Sequence, residues 1–209
     1  MSLFGETPTA GQLITIDGPN GSGKTSLVAA LVAHLRAAGL DVHSTCQPSP
    51  SRLGDEIREA EATVGGRALA CLVAGDRHHQ AATEIAPRLA EGITVICDRY
   101  VESSLVLQRL DGVETEYILA INAGIPRPTT RMRLLAEPDL LAARLAERPS
   151  DPSRRFERTA GTERELELYA QADELLISRE RLPATVIDTS LTHADALGAS
   201  VAAMILEEK

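Results

Sequence analysis

The stretch GPNGSGKTS, residues 18–26, decides the fold of this chain of 209 residues. It matches the pattern G-x-x-x-x-G-K-[ST], in which glycines allow backbone N–H groups to converge on phosphate oxygens. The apolar run before it, LITID (13–17), predicts a buried strand, and apolar residues at helical spacing over 24–38 predict a helix whose positive N-terminal end faces the loop. We therefore expect the loop to bind the phosphates of a nucleoside triphosphate through residues Gly18, Pro19, Asn20, Gly21, Ser22, Gly23, Lys24, Thr25 and Ser26.

Lys24 is unusual because the chain has only one other lysine, Lys209, among 21 basic side chains. The pattern assigns the Lys24 ammonium to the β- and γ-phosphates and the Thr25 hydroxyl to a Mg²⁺ ion, so the expected cofactors are ATP and Mg²⁺. A chance glycine-rich turn is the alternative, but the strand, the spacing and the lysine agree in favouring a phosphate loop.

A second apolar run, ITVICD (93–98), is rich in β-branched residues and ends in Asp98. It predicts another buried strand, and the position of Asp98 resembles that of a Walker B aspartate, which holds the metal directly or through water. Asp98 could also cap the helix expected at 102–109, and the two roles are compatible.

Two further apolar runs, RMRLLA (131–136) and ATVIDT (184–189), predict two more strands. Pro87 is expected to kink or end the helix that the pattern predicts around it. Strands that alternate with helices indicate an α/β domain, expected over 1–209, whose parallel sheet is covered by helices on both faces. The helices beyond the first are expected at roughly 52–62, 67–91, 102–109, 114–123, 138–148, 162–181 and 192–207.

The composition argues against several classes of protein. A formal net charge of −9 disfavours a broad nucleic-acid surface, although it leaves room for a small anion held by clustered arginines. No apolar run has the length of a membrane span, and MSLFGETPTAGQ (1–12) lacks the regions of a signal peptide. The cysteines Cys46, Cys71 and Cys97 are odd in number and lack metal-site spacing, which favours a reducing, cytoplasmic compartment.

Four segments resemble motifs of the thymidylate kinases, a family of nucleoside monophosphate kinases. ACLVAGDRHHQ (70–80) is similar to their L-L-F-A-A-D-R-x-x-H segment, and DRYVESSLVLQ (98–108) is similar to their D-R-[YH]-x-x-S-x-x-A-Y-Q signature. EPDLLAARLAERPSDPSRRFE (137–157) resembles their P-E-x-x-x-x-R helix and the arginine-bearing lid that follows it and ends in D-R-F-E. VIDTS (186–190) resembles their I-D-A-[ST] loop near the adenine, so the likeness extends in order over about 13–206.

This resemblance implies a three-layer α/β/α P-loop kinase fold: a five-stranded parallel sheet flanked by helices, with a short arginine-bearing lid at about 148–160. It also implies ATP-dependent phosphorylation of a nucleoside monophosphate to the diphosphate. The expected partners are the nucleotide acceptor and a second copy of the chain in a homodimer, with neither nucleic acid nor membrane. The catalytic residues that it implies are Lys24, Asp98, Arg99, Arg148, Arg154 and Arg155.

Arginines carry most of the binding roles that the resemblance implies. Arg99 is expected to bind the acceptor phosphate, with Arg58 as a second contact, while Arg77 faces the acceptor nucleotide. Because the phosphate loop has no arginine, the lid arginines are expected to supply charge to the transferring phosphoryl group; the alternative is that about half of them are solvated surface charges. The adenine side is expected at Arg144 and Asp188, and the acceptor side at Asn20, Arg58, Val73, Arg77, Arg99, Ser103, Ser104, Leu107 and Gln108.

Departures from the family pattern fall on the acceptor side. Val73 stands where the family has a stacking phenylalanine, Leu107 where it has a tyrosine near the sugar, and Asn20 where it has an acid. The family's R-E-P segment also reads CQP (46–48) here. Losing the phenylalanine face removes a base platform worth about 1–3 kcal/mol, and losing the tyrosine relaxes the exclusion of a 2′-hydroxyl.

Two interpretations of the acceptor stay open. The enzyme could prefer another monophosphate, such as a modified nucleotide or a ribonucleotide, or neighbouring side chains could compensate so that it still uses dTMP. Two further alternatives differ in class: a kinase for a small-molecule acceptor without a base, and a non-catalytic nucleotide-binding P-loop protein. The intact Lys24, Thr25, Asp98 and Arg99 count against the non-catalytic protein.

Overall fold

The computed structural model describes residues 2–5, 7, 10–147, 156 and 163–207. Its strands are β1 (Phe4–Gly5), β2 (Leu13–Asp17), β3 (Val42–Cys46), β4 (Thr94–Asp98), β5 (Ile125–Pro126), β6 (Thr130–Leu135) and β7 (Ala184–Asp188). Its α-helices are α1 (Lys24–Ala37), α2 (Arg52–Ala60), α3 (Gly66–Gln80), α4 (Ala86–Ala90), α5 (Val101–Leu110), α6 (Thr115–Ile121), α7 (Pro138–Ala146), α8 (Glu163–Glu180) and α9 (Ala194–Glu207). A π-helical turn, Ala81–Ile85, joins α3 to α4.

Five strands form one parallel sheet in the order β3-β4-β2-β6-β7. Helices cover both of its faces, so the predicted three-layer α/β/α P-loop kinase fold is confirmed. The central strand β2 is buried along its whole length, as expected for a parallel strand covered on two sides. Four strands lie within one residue of their predicted ends: those predicted at 13–17, 93–98, 131–136 and 184–189.

The fifth strand of the sheet, β3, is the one that the apolar pattern did not single out. Its sequence VHSTC buries Val42 and Thr45 but leaves Ser44 exposed. It lies at an edge of the sheet and pairs only with β4, so it needs fewer apolar residues than the central strands do. Outside this sheet, β1 pairs with β5 in a short parallel ladder that was not predicted either.

The two faces of the sheet bury separate apolar cores. On one face, α1 packs against α9 around Ile14, Ile16 and Leu31. On the other face, α5 packs against α8 around Leu13 and Leu168. Successive residues of a strand point to opposite faces, so β2 contributes to both cores and is fixed between them. The phosphate loop therefore follows a strand that is packed on both of its faces.

The helix predicted over 67–91 is present, but Pro87 does not end it. The chain continues through α3, the π-helical turn and α4 as far as Ala90, and Pro87 lies in the first turn of α4. Proline lacks an N–H, and in a regular helix its ring collides with the carbonyl four residues earlier. The interruption therefore takes the form of a wider turn just before the proline.

The lid expected at about 148–160 lies outside the described residues, apart from Phe156. Across the part of the chain that the structure describes, no helix is both long enough and apolar enough to cross a bilayer.

Candidate active site

The loop between β2 and α1 closes around the Lys24 side chain. Lys24 is 6% exposed, and its Nζ donates to the carbonyl oxygens of Gly18 at 2.9 Å and Pro19 at 2.8 Å. Gly18 has a φ of +145°, and a Cβ there would lie 2.7 Å from the carbonyl oxygen of Leu134, so the position requires glycine. The loop thus holds the ammonium at its centre.

Burial lowers the pKa of Lys24 to about 7, and the nearby guanidinium of Arg99 acts in the same direction. The carboxylates of Asp98 and Asp17 act in the opposite direction without restoring the ordinary value. The charged form of a buried, poorly solvated group is stabilised when an opposite charge is brought beside it. The electrostatics of the loop therefore favour binding of a polyanion such as a triphosphate.

A hydroxyl and a carboxylate meet beside the loop. Thr25 Oγ1 donates to Asp98 Oδ2 at 2.8 Å, while Asp98 Oδ1 is buried and accepts no hydrogen bond. Buried polar atoms without a partner are rare, and oxygen atoms of this kind are the ligands that Mg²⁺ prefers. Within the described ranges no cluster of three His, Cys, Asp or Glu could hold a metal by itself. The pair therefore fits a Mg²⁺ ion that shares its remaining positions with phosphates and water.

Asp17, at the end of β2, takes the capping role that was one alternative for Asp98. Its Oδ1 accepts from the backbone N–H groups of Tyr100 and Ser103, both at 3.0 Å, and from Ser103 Oγ at 2.6 Å. These bonds fix the first turn of α5. The Asp98 carboxylate points to Thr25 instead, so capping falls to a residue that the sequence analysis did not assign. The aspartate that ends the run LITID was the available signal.

Arg99 lies between the phosphate loop and α5. Its φ of 70° is in the left-handed region, which is uncommon for arginine and is often associated with functional sites. The guanidinium donates to Asn20 Oδ1 and to Ser103 Oγ, the latter at 3.2 Å. Arg99 is thus fixed at a point where the loop, the strand end and the helix meet.

A cavity of about 570 Å³ lies beside the loop, a size typical of small-molecule sites. Of the other loop residues expected to bind phosphate, Gly18, Pro19 and Ser22 are buried without lining the cavity, and Ser26 is exposed on α1. Arg148, Arg154 and Arg155 lie outside the described residues. The predicted site residues that do line it are Asn20, Gly21, Gly23, Lys24, Thr25, Arg58, Val73, Arg77, Asp98, Arg99, Ser103, Ser104, Leu107 and Gln108.

Arg77 is buried at one end of this cavity, with 2% of its surface exposed. It donates through Nε to Gln47 Oε1 at 2.7 Å, through Nη2 to Ser104 Oγ at 2.8 Å, and through Nη1 to Asn122 Oδ1. Burial lowers the pKa of the guanidinium. Because these partners are neutral, they orient the guanidinium without cancelling its charge. Asn122 was not singled out from the sequence, since it lies far from the motifs along the chain.

Arg58 binds the segment that follows β3. Its guanidinium donates to the carbonyl oxygens of Pro48 at 2.7 Å and Ser49 at 3.0 Å, and to Asp55 Oδ1 at 2.6 Å. Pro48 also lines the cavity, so Arg58 supports the wall as well as contributing to it.

Val73 and Leu107 form an aliphatic wall of the cavity. Both are partly buried and pack against the cluster of Ile57, Leu69 and Phe156. The wall brings together side chains from α2, α3 and α5 with one residue of the segment before α8. The two positions where the family has aromatic rings are therefore adjacent in space.

Of the two residues expected to bind the adenine, Arg144 contacts the loop region and Asp188 does not. Arg144 Nη2 donates to the carbonyl oxygen of Thr189 at 2.9 Å, and Thr189 Oγ1 donates to the carbonyl oxygen of Ser22 at 2.9 Å. The Asp188 carboxylate accepts from the Ser190 N–H at 2.8 Å and lines a second, smaller pocket. Thr189, which the sequence analysis did not assign, is thus the residue of VIDTS that contacts the loop.

The loop after β2, facing a nucleotide-sized cavity at the end of a parallel sheet, defines a phosphotransferase of the P-loop kinase class. The chain belongs to the thymidylate kinase family, whose model matches residues 16–191. A thymidylate kinase of Xanthomonas euvesicatoria pv. vesicatoria is 35% identical over 170 residues, which cover 80% of this chain and 75% of that protein. The resemblance drawn from the motifs is therefore confirmed, and the chain is a nucleoside monophosphate kinase.

Two archaeal relatives are similar over shorter lengths. A probable thymidylate kinase of Caldivirga maquilingensis is 34% identical over 139 residues, covering 65% of this chain and 68% of that protein. A probable thymidylate kinase of Pyrobaculum calidifontis is 40% identical over 129 residues, covering 60% of this chain and 64% of that protein.

Proposed function

We propose that this kinase transfers the γ-phosphoryl group of ATP to the phosphate of a nucleoside monophosphate other than dTMP, giving ADP and a nucleoside diphosphate. This proposal rests on one observation, the contrast between the donor side and the acceptor side of a single cavity. The loop glycines, Lys24 and Thr25 follow the family pattern, whereas Val73 and Leu107 replace two aromatic rings on the acceptor side.

The donor side rests on the phosphate loop. Lys24 and the backbone N–H groups of the loop would bind the β- and γ-phosphates and offset the charge that develops on the transferring group. Bound Mg²⁺, held at Thr25 and Asp98, would supply further positive charge to the donor phosphates. Phosphoryl transfer needs little covalent chemistry from the protein, so the positions of these groups account for most of the expected acceleration.

The acceptor phosphate is assigned to Arg99. Its guanidinium is already held by Asn20 and Ser103, and a planar guanidinium can bind two phosphate oxygens at once. Because Asn20 belongs to the phosphate loop, an acceptor phosphate on Arg99 would lie next to the donor phosphates. Arg58, which also lines the cavity, is assigned as a second contact.

The base end of the cavity favours a carbonyl oxygen over an amino group. Arg77 has only donors, and Ser104 Oγ already accepts from it, which leaves the serine hydroxyl hydrogen available to a ligand. A uracil-type oxygen could accept from both groups, whereas the amino group of cytosine could donate only to the remaining lone pair of Ser104 Oγ and would face the Arg77 donors. With Leu107 in place of a tyrosine near the sugar, a 2′-hydroxyl is tolerated. We therefore propose UMP ahead of CMP and dTMP.

A homodimer and a cytoplasmic location are also proposed. The family resemblance supports the homodimer, and so does the outer side of α3, where Cys71, Leu72 and Gly75 are exposed. Leu72→Glu should lower the mass measured by sedimentation to that of the monomer if α3 forms the interface. All three cysteines are free, which agrees with a reducing compartment.

The test is a panel of UMP, dTMP, CMP, AMP and GMP with ATP and Mg²⁺, measured as ADP release. We expect UMP to be used best, and chelation of the metal to abolish the reaction. A kcat/KM for dTMP of about 10⁴ M⁻¹s⁻¹ or better, within the ordinary range of enzymes, would make this a dTMP kinase with a rebuilt pocket. ADP release that needs no acceptor, or none at all, would contradict the proposed transfer.

A further inference from the structure

We infer that Gln47 and Gln80 are positioning residues, which fix the guanidinium of Arg77 at the base end of the cavity without offsetting its positive charge. This inference rests on the proposed function, because it requires an acceptor that carries a nucleobase. It deepens that proposal by naming the side chains through which the chain controls its contact with the base. The sequence analysis assigned a role to neither glutamine.

The two glutamines, called the amide pair below, join Arg77 to the edge strand β3. Gln47 Oε1 accepts from Arg77 Nε at 2.7 Å, and Gln47 Nε2 donates to Gln80 Oε1 at 3.1 Å. Gln80 Nε2 donates in turn to Thr45 Oγ1 at 2.7 Å and to the carbonyl oxygen of Cys46 at 3.1 Å. Gln47 is 5% exposed and Gln80 is 1% exposed. Buried polar groups that are hydrogen-bonded in this way make their surroundings rigid, so the amide pair is a fixed support for the guanidinium.

Both ends of this chain of hydrogen bonds require the same orientation of the amides. Arg77 can only donate, so it must face the oxygen of Gln47. At the other end Gln80 Nε2 donates to Glu84 Oε2 at 3.1 Å, and an ionised carboxylate only accepts. Burial alone would raise the pKa of Glu84, but hydrogen bonds from neighbouring side chains, His43 among them, lower it, so the carboxylate is ionised. Turning either amide over would bring two donors or two acceptors together.

The other groups that are bonded to Arg77 in the described part of the chain are neutral as well. Its Nη atoms donate to Ser104 Oγ, to Asn122 Oδ1 and to one backbone carbonyl oxygen. The acid beside it in the chain, Asp76, accepts instead from the N–H and the hydroxyl of Ser49, both at 2.6 Å. Because a guanidinium has five N–H groups, these bonds leave a donor for a ligand in the cavity that Arg77 lines. The amide pair therefore orients a cation that a ligand can approach.

The family motifs have other side chains at both positions of the amide pair. Their R-E-P segment has an acid where this chain has Gln47, and their D-R-x-x-H segment has a histidine where it has Gln80. In this structure an acid at position 47 would form an ion pair with Arg77 and would need a donor at position 80, which a histidine can supply. A glutamine at position 47 needs an acceptor instead, which Gln80 provides. The two departures are therefore one coupled change.

The first test replaces Gln47 and measures the binding of two ligands by calorimetric titration. The ligands are the nucleotide that the acceptor panel identifies, UMP or dTMP, and ribose 5-phosphate, which has no base. Gln47→Leu should weaken binding of the nucleotide about ten- to one-hundred-fold, because Arg77 loses a hydrogen bond that holds it in place. The affinities for ribose 5-phosphate and for ATP should not change, since the phosphate sites do not involve Gln47.

Gln171→Leu is the matched control, because Gln171 also accepts from an arginine, Arg109, at 2.6 Å, but lies on the exposed face of α8. This variant should bind both ligands as the wild type does. Equal losses of affinity for the nucleotide and ribose 5-phosphate in Gln47→Leu would show a general distortion of the pocket and would overturn the inference. Unchanged affinity for the nucleotide would overturn it as well.

The second test uses the coupling between positions 47 and 80, and it remains decisive if Gln47→Leu fails to fold. Gln47→Glu alone should lower the thermal unfolding temperature, because its carboxylate would face the oxygen of Gln80. Adding Gln80→His should restore it, because the imidazole can donate to the carboxylate. In this double variant the KM for the nucleotide should stay about three- to tenfold above the wild-type value, since an ion-paired Arg77 is a weaker donor to the base, while the KM for ATP stays unchanged.

Two outcomes of the second test would contradict the amide pair alone. The first is a double variant that is no more stable than Gln47→Glu, and the second is a double variant whose KM for the nucleotide returns to the wild-type value. Failure of every monophosphate with the wild-type enzyme would instead contradict the proposed function, and this inference with it.

Discussion

The Thr25 hydroxyl donates to the Asp98 carboxylate over 2.8 Å and so joins the phosphate loop to the end of β4. The two residues are 73 positions apart and meet because β2 and β4 are neighbouring parallel strands, with Ile16 paired to Asp98. Carboxyl ends of parallel strands share one edge of a sheet, and ligands bind in α/β proteins at such an edge. The contact between Thr25 and Asp98 is therefore a product of strand order.

Lys24→Ala should abolish phosphoryl transfer while the fold persists. The lysine lies at the centre of the loop and offsets charge that grows in the transition state, so its loss should reduce turnover rather than folding. The measurements are ADP release and the thermal unfolding curve, with Lys209→Ala as control at the other lysine. If the variant kept more than about a tenth of wild-type turnover, the activation barrier would have risen by less than about 1.36 kcal/mol, and the assignment of Lys24 would be refuted.

Binding of ATP should take up a proton at pH 8. The pKa of Lys24 is lowered to about 7, so the ammonium is largely deprotonated at pH 8 in the free enzyme, and bound phosphates should raise that pKa and restore the charge. At pH 6 the lysine is already protonated and uptake should vanish. Calorimetric titrations in buffers of different ionisation enthalpy measure the proton count, and Lys24→Met should show no uptake at pH 8. Equal counts in wild type and variant would contradict the lowered pKa.

Arg99→Met should weaken binding of the acceptor far more than binding of ATP. The guanidinium lies between Asn20 and Ser103 at the acceptor side of the loop, and methionine keeps much of its length without the charge. The Michaelis constants for the two substrates measure the difference, with Arg179→Met on the exposed face of α8 as control. Equal increases in both constants would show that Arg99 does not bind the acceptor phosphate specifically.

The double variant Val73→Phe, Leu107→Tyr should raise selectivity for dTMP over UMP. It restores the rings that the family has beside the base and the sugar, and the tyrosine should again exclude a 2′-hydroxyl. The measure is the ratio of kcat/KM for the two acceptors, and a ratio that stays at the wild-type value would argue against the altered-pocket interpretation.

Asp17→Ala should lower the free energy of unfolding by about 2–4 kcal/mol, because three donors at the start of α5 lose a buried carboxylate acceptor. Denaturant unfolding measures the change. The control is Asp195→Ala. The Asp195 side chain forms an ion pair with His34 and is 88% exposed, so its loss should lower the free energy of unfolding by less than about 1 kcal/mol. Similar losses in both variants would mean that Asp17 is not the cap of α5.

Local sequence patterns were sufficient to predict the parts of this protein that are formed by residues close together in the chain. An apolar strand, a glycine loop and an amphipathic helix follow one another without interruption, so the fold class and the positions of Lys24 and Thr25 follow from residues 13–38. Asp98 was found because it ends a run of β-branched residues. The strand β3 was missed because only Val42 and Thr45 of its sequence VHSTC are buried, which leaves a weak apolar signal.

Tertiary structure decided the contacts between residues that are far apart in the chain. Asp98 pairs with Ile16, the residue before Asp17, so the two carboxylates point to opposite faces of the sheet and Asp17 rather than Asp98 caps α5. Likewise Thr189, just after β7, contacts the loop, whereas Asp188 does not. Phe156, Val73 and Leu107 are far apart in the sequence, yet they meet at one cluster with Ile57 and Leu69. Side-chain volume and hydrogen-bond direction determine that arrangement, and neither is visible until the elements are assembled.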